Sequence, residues 1–336
     1  MIRLAFRRLL MTPPVIFSII TLVFFMTQLI PGDQAHIAAG RDATVEQVEA
    51  MRVKLGLDSP LYIQFARYLM RLLHGDLGIS VFTYRPVLTD LADVLPSSLE
   101  LVCLAMVINL VISLPAAMLT ATYRGGRIDN VIRILVLFGG TIPVFWLGLT
   151  LQNLFGARLQ ILPIAGQHKS GEIVPRHTGA TTIDSLLNGD FSVFLHSLTY
   201  LILPALTLSC AFIAVLTRTL RSSMIGVLDS DFVMVARAKG ASNLRVIVRH
   251  ALPNAAIPTL TIVGMQVGWM LGSTILVESI FGRQGIGSYA MTAVLQKDIF
   301  AVIASVLVLG IAFTLLNLIV DLLVPIIDPR LRGSHA

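Results

Sequence analysis

LVCLAMVINLVISLPAAMLTATY, residues 101–123, runs for 23 residues without a charge. A helix rises about 1.5 Å per residue, so this stretch is long enough to cross a bilayer core of roughly 30 Å. Uncharged runs of similar length recur at 9–30, 134–157, 191–217, 251–277 and 299–320. His196 interrupts the fourth, and 322–327 extend the last beyond Asp321. The expected fold is an all-α integral membrane protein of six transmembrane helices. Composition agrees: 55% of the 336 residues are hydrophobic and 13% charged, against about 25% charged in soluble proteins. That balance, with a mean hydropathy of +0.82, argues against a soluble enzyme. The first run follows Arg3, Arg7 and Arg8, as in a signal peptide. It outlasts a signal's apolar core of roughly 7–15 residues, so a retained helix is expected. Cys103 and Cys210 lie in apolar runs with no CxxC or metal-ligand spacing. They are expected as buried thiols, without a disulfide framework.

Lys and Arg placement sets orientation. With a cytoplasmic N-terminus, the inside segments hold 14 basic and 4 acidic residues, a net +10. The outside segments hold 11 and 14, a net −3. Both termini are therefore expected in the cytoplasm. The basic balance follows from topology and needs no nucleic-acid partner.

Two segments divide the chain: 1–100, a helix and a large outer loop, and 101–336, a five-helix core. In the outer loop Thr44 and Gln47 form a candidate capping box. Leu61, Phe65, Leu69 and Leu72 make an amphipathic stripe for a helix on the membrane or the spans. A second outer loop, 158–190, is rich in Gly, Thr and His. The third holds Gly282-Arg283-Gln284-Gly285-Ile286-Gly287, read either as tight turns at a pore mouth or as a flexible loop. Inside, 218–249 is the long connection. DFVMVARAK (231–239) reads as a short helix, Gly240 as its break, and Ser242-Asn243 as the cap of a second helix, 244–251, that ends at Leu252-Pro253. Helix–Gly–helix with a basic face suggests a protruding element; an ordinary positively charged loop is the alternative.

No catalytic site is readable: GxxxxGK[ST], HExxH and GxSxG are all missing. His168 and His177 share an outer loop, where solvated side chains are the plainer reading than a metal site.

Residues 231–254 resemble the cytoplasmic EAA-type loop of ABC importer permeases. Ala236-Arg237-Ala238 forms the motif core without its usual glutamate, and Gly240 and Leu252-Pro253 match its glycine and its end. ARAKG-x-S followed by RHAL-x-NA resembles the form found in the dipeptide/oligopeptide/nickel permease family. Pro31-Gly32-Asp33, LGLDSPLYIQF (55–65), GDLGIS (75–80), LPSSLEL (95–101), IPVFWLGL (142–149), NLIVD (317–321) and DPRLR (328–332) extend the likeness along nearly the whole chain. GRQGIG stands where many members have a Trp-Pro-Gly-like turn. The resemblance implies the type I permease fold, with Ala236, Arg237, Ala238, Gly240, Leu252 and Pro253 coupling to ATPase subunits. Arg221, nearer the membrane surface, is expected to matter less there. The implied partners are a homologous second permease, two ATP-binding cassette subunits that bind ATP and Mg, and a periplasmic solute-binding protein. The implied cell location is the bacterial inner membrane, and no cofactor is implied in this chain. The long 158–190 loop, with IDSLLNG at 183–189, is most similar to dipeptide-type members, so short peptides are expected rather than nickel or glutathione.

Within the spans, Gly264, Gly268 and Gly272 recur every fourth residue, a stripe for close helix approach. Asn109, Gln266 and Trp269 are candidates for the translocation path, Gln266 equally for an inter-helix hydrogen bond. Asp321 suggests structural pairing, with a substrate contact as the alternative. A stand-alone secondary transporter would show inverted repeats with paired broken helices, and no half-to-half similarity is seen. An intramembrane hydrolase would need a nucleophile–base pair, and none is visible.

Overall fold

A computed structural model describes residues 2–29, 34–39, 43–169, 171–172 and 174–327. The 31–33 and 328–332 motifs lie outside them, as do the side chains of Arg3, Arg7, Arg8 and Asp321. The first span is α1 (Ile2–Leu29). The short helices α2 (Gln34–Ala39), α3 (Val45–Leu55) and α4 (Leu61–Leu73) follow. The capping box forms: Gln47 N–H donates to Thr44 Oγ1 at 3.3 Å, and Thr44 N–H to Gln47 Oε1 at 2.9 Å. The amphipathic stripe lays α4 against α1, with the Phe24 and Phe65 rings 5.1 Å apart, edge to face.

Next come α5 (Val87–Thr122), α6 (Arg127–Thr141) and α7 (Val144–Leu151), the last continuing as a π turn over Gln152–Arg158. Then follow α8 (Thr181–Leu187), α9 (Phe191–Leu228), α10 (Asp231–Ala238) and α11 (Asn243–Arg245). A second π turn, Val246–Ala251, leads into α12 (Leu252–Phe281), then α13 (Ile286–Leu295) and α14 (Ile299–Ile327). Among the described residues five helical stretches are long and apolar enough to cross a membrane, and the bent pair α6–α7 raises the number to six.

Four expectations are corrected. The third span is not one rod: α6 and its continuation are bent by 100° at the Ile142-Pro143 break, because the residue before a proline is driven into extended backbone, here φ −69°, ψ 129°. The second and fourth spans are longer than their charge-free runs. With 36 and 38 residues, each measures more than 50 Å, well beyond the bilayer core. The second short helix of the inside loop does not stop at Leu252-Pro253. Proline is tolerated in the first turn of a helix, and α12 starts through it. Cys103 is exposed and Cys210 only partly buried.

The core lies where α5, α9 and α12 meet, through Leu101, Val102 and Ala105, Leu203, Ala205 and Leu208, and Met270, Leu271 and Phe281. Lipid tails are as apolar as leucine, so burial alone does not hold spans together; close fit and hydrogen bonds must. Gly264 and Gly268 provide that fit. A Cβ on Gly264 would lie 2.8 Å from the Val320 Cβ, and one on Gly268 would lie 2.1 Å from the Phe313 ring. Gly272 meets nothing within 4 Å, so the packing stripe against α14 has two members and not three.

Candidate functional site

The α9–α12 connection is built as a rigid projection. Helix α10 ends with Gly240 N–H donating to Arg237 O at 2.9 Å and Ala241 N–H to Ala236 O at 3.1 Å. That is the Schellman pair, which needs a left-handed residue between the two donors' turns. Gly240 supplies it with φ +82°, and a Cβ there would touch nothing within 4 Å in this chain. Val233 and Val246, both fully buried, anchor α10 and the π turn. Phe232, Met234, Val235 and Leu244 remain exposed, with Arg237 and Lys239 exposed beside them. Exposed apolar side chains edged by cations outside the spans mark a surface for contact with protein or membrane. Ala236 is half-buried and Ala238 exposed, while Leu252 and Pro253 sit in the first turn of α12.

Below the projection, Ala117 and Ala121 of α5 and Leu220 and Met224 of α9 pack with Ala251 and Ala255. The Arg221 guanidinium donates twice to Asp129, at 3.1 and 2.8 Å, and Asp129 also accepts from Gly125 N–H at 3.0 Å. Asp129 is 1% exposed. Arg221 therefore clamps α6 to α9.

Midway through the bundle, Asn109 Nδ2 donates to Gln266 Oε1 at 2.8 Å, and Gln266 Nε2 to Phe212 O at 3.0 Å. Ser113 Oγ donates to Asn109 Oδ1 at 2.9 Å. Asn109 and Gln266 are completely buried. The pair binds α5, α9 and α12 together through side chains closed off from the surface of this chain. Trp269, about half exposed, faces outward from α12 and joins neither residue.

The end of the bundle opposite Gly240 carries a second polar knot. Glu278 accepts from Ser98 Oγ at 2.5 Å and Ser288 N–H at 3.0 Å, and Ser98 Oγ accepts from Ile286 N–H at 2.8 Å. Arg283, 2% exposed, donates to Glu100 Oε2 at 3.2 Å. Burial pulls the Arg283 pKa below the usual guanidinium value, against the opposing pull of Glu100 and Glu278. Glu100 accepts from Thr182 N–H at 2.7 Å, which ties the 158–190 loop to α5. Gly282 turns with φ +58°, and Gly287 lies so close to the Ile275 backbone that a Cβ would be 2.5 Å from its nitrogen. Residues 282–285 thus form a close-packed turn into α13, with Arg283 and Gly285 buried and Gly282 and Gln284 exposed.

The family described as "Binding-protein-dependent transport system inner membrane component" matches residues 113–333, and its N-terminal counterpart matches 1–102. The chain belongs to this family. The permease is 41% identical over 322 residues to a probable D,D-dipeptide transport system permease protein of Escherichia coli (strain K12), covering 95% of each chain. It is 36% identical over 332 residues to a dipeptide transport system permease protein of Alkalihalophilus pseudofirmus, covering 99% of the permease and 100% of that relative. A glutathione transport system permease protein of Escherichia coli O6:H1 is 33% identical over 332 residues, covering 99% of each chain. The permease is an integral inner-membrane protein, as its apolar helices require.

Sequence reasoning found the loop of the permease but missed both ion-pair knots. Arg221–Asp129 joins residues 92 apart, and Arg283–Glu100 residues 183 apart. One signal was available: Asp90, Asp93 and Glu100 fall between the apolar residues Leu91, Val94, Leu95 and Leu101 at helical spacing, which marks the helix as starting before residue 101.

Proposed function

We propose that the permease forms half of the pathway of an ATP-driven importer for dipeptides or short peptides. The other half would be a homologous second permease, with two ATP-binding cassette subunits on the cytoplasmic face and a periplasmic solute-binding protein delivering the ligand. ATP and Mg belong to the ATPase subunits, so this chain hydrolyses nothing and carries no cofactor. Both termini are cytoplasmic, in keeping with the +10 against −3 charge split. Residues 1–100 serve as an N-terminal span and periplasmic segment, and 101–336 as the transport core.

One observation carries this reading: the α10–Gly240–α11 projection, capped and anchored from beneath, with Phe232, Met234 and Val235 facing away from the bundle. Ala236, Arg237, Ala238 and Gly240 are assigned to ATPase docking, with Leu252 and Pro253 carrying the motion into α12. Closure of the ATPase pair favours one pathway state over another by binding the two differently. Peptide cargo is supported by relatives named for dipeptide transport at 36–41% identity, and glutathione is the second reading on the 33% relative.

Membrane insertion, ATPase co-purification and uptake in Gly240→Glu test the assignment. Space around Gly240 leaves only a left-handed strain of about 1–2 kcal/mol inside the chain, so insertion is retained while docking or uptake is lost. Normal uptake with a normally bound ATPase would reduce the loop to a connector. In the reconstituted wild-type importer, dipeptide, glutathione and nickel uptake with and without ATP decides the cargo.

A further inference from the structure

A cavity of about 120 Å³ lies between α1, α4 and α14, lined on one side by Phe24, Ile299 and Ile303 and on the other by Arg67, Tyr68 and Arg71. Its level in the membrane is fixed by its walls. Phe24 lies in the last turns of α1 and Ile299 begins α14, so the cavity sits at the boundary between hydrocarbon and headgroups. Polar groups at that level normally find partners or water. The Tyr68 hydroxyl is buried without a hydrogen-bond partner. Burial raises the Tyr68 pKa to about 12, so it remains an O–H donor.

The charges at the mouth do not cancel. Arg71 is neutralised by Asp76 at 2.9 Å. Arg67 forms no ion pair with a carboxylate among the described residues. It is held over the Gly56 turn, where a Cβ would collide with its guanidinium. Gln64 is already spent, donating to Leu57 O at 3.0 Å and Ser59 O at 2.8 Å. The site therefore offers one uncompensated cation, one free hydroxyl donor and an apolar wall descending toward the spans.

We infer that this cavity binds an anionic glycerophospholipid, its phosphate against Arg67 and the Tyr68 hydroxyl and its acyl chain along Phe24, Ile299 and Ile303. A phosphodiester matches the single residual positive charge, and the apolar wall selects a lipid over a soluble phosphate. The inference requires only that the chain is embedded in a membrane and is independent of the transported solute.

The test uses the full-length permease with its co-purifying subunits in phosphatidylethanolamine nanodiscs containing photoactivatable phosphatidylglycerol, with cross-linked peptides mapped by mass spectrometry. Labelling concentrated on residues 61–77 and 296–304 is expected. Arg67→Gln or Tyr68→Phe should lower it by about tenfold, the loss typical of one hydrogen bond to a charged group, with labelling elsewhere unchanged. Tyr68→Phe removes one oxygen and keeps the ring, so it carries the test if Arg67→Gln fails to assemble. Labelling spread evenly over the spans, labelling indifferent to Tyr68→Phe, or equal labelling of the same residues by a photoactivatable phosphatidylethanolamine would overturn the inference. Competition by free glycerol phosphate would also overturn it, by making the site one for a soluble phosphate.

Discussion

Three glycines on one helix give a controlled comparison, because the same added methyl group meets three different surroundings. In Gly264→Ala the new Cβ lies 2.8 Å from the Val320 Cβ. A Cβ is fixed to its backbone, so no side-chain rotation relieves the contact. Carbon atoms at ease are about 3.5–4.0 Å apart, so α14 must retreat by roughly 1 Å along that line. Overpacking of this kind costs about 1–3 kcal/mol. In Gly268→Ala the obstacle is the Phe313 ring at 2.1 Å. Phe313 is 37% exposed and can swing toward lipid, so the cost is smaller. In Gly272→Ala nothing lies within 4 Å, and replacing glycine by alanine in a helix gains up to about 1 kcal/mol. Thermal stability by fluorescence-detected size exclusion should fall in the order Gly272→Ala, Gly268→Ala, Gly264→Ala, with the first at or above wild type. Adding Val320→Ala removes Val320's two methyl groups, the Cγ1 of which lies 2.4 Å from the new Cβ, and should recover part of the Gly264→Ala loss. If Gly272→Ala destabilised as much as Gly264→Ala, the α12–α14 packing described above would be wrong.

Arg283→Met strands Glu100 in a site where it is 8% exposed, so thermal stability should fall by about 3–5 kcal/mol; an unchanged melting profile would mean the knot is dispensable. Lys169→Cys and Ser242→Cys, in a background without Cys103 and Cys210, should react with impermeant thiol reagents from the periplasm and the cytoplasm respectively, and the reverse pattern would invert the topology. Burial alone would raise the Asp184 pKa, but hydrogen bonds from the Thr178 hydroxyl and amide and from Gly179 hold it below the usual aspartate value. A lowered folded value means this support is complete above about pH 4, near the unfolded aspartate pKa, and is lost as pH falls through the folded value. Protease protection of residues 174–190 should stay flat from neutral pH to about 4 and drop below it in wild type, while Asp184→Asn should be unprotected throughout.

The spans were legible because a soluble fold rarely keeps charge out of a run of bilayer length. Their true ends were not. α5 begins at Val87 and α9 continues to Leu228 because Asp90, Glu100 and Arg221 find partners elsewhere in the fold: Arg85 at 3.1 Å, Arg283 at 3.2 Å and Asp129 at 2.8 Å. Each pairing removes the penalty that makes a charge look like a span boundary. The loop was legible for the opposite reason. Helix, glycine and helix are local devices, and the left-handed φ at Gly240 is a local requirement. Pro253 misled because a proline reads as a stop in sequence, yet as a start when it falls in a helix's first turn.

The π turn at Val246–Ala251 stores one residue of slack between the projection and the bundle. Leu252 N–H bonds Ile247 O, five residues back, where α winding would reach only four. Rewinding the same residues as α would turn α10 and α11 by about 100° around the α12 axis, one step of helical register. Bending changes direction by degrees; this turn changes it by whole residues. The aim of the projection is therefore quantised. Re-aiming the Phe232, Met234 and Val235 face by this route would come in whole residues, and it would first have to unseat Val233 and Val246, which are fully buried in the present register.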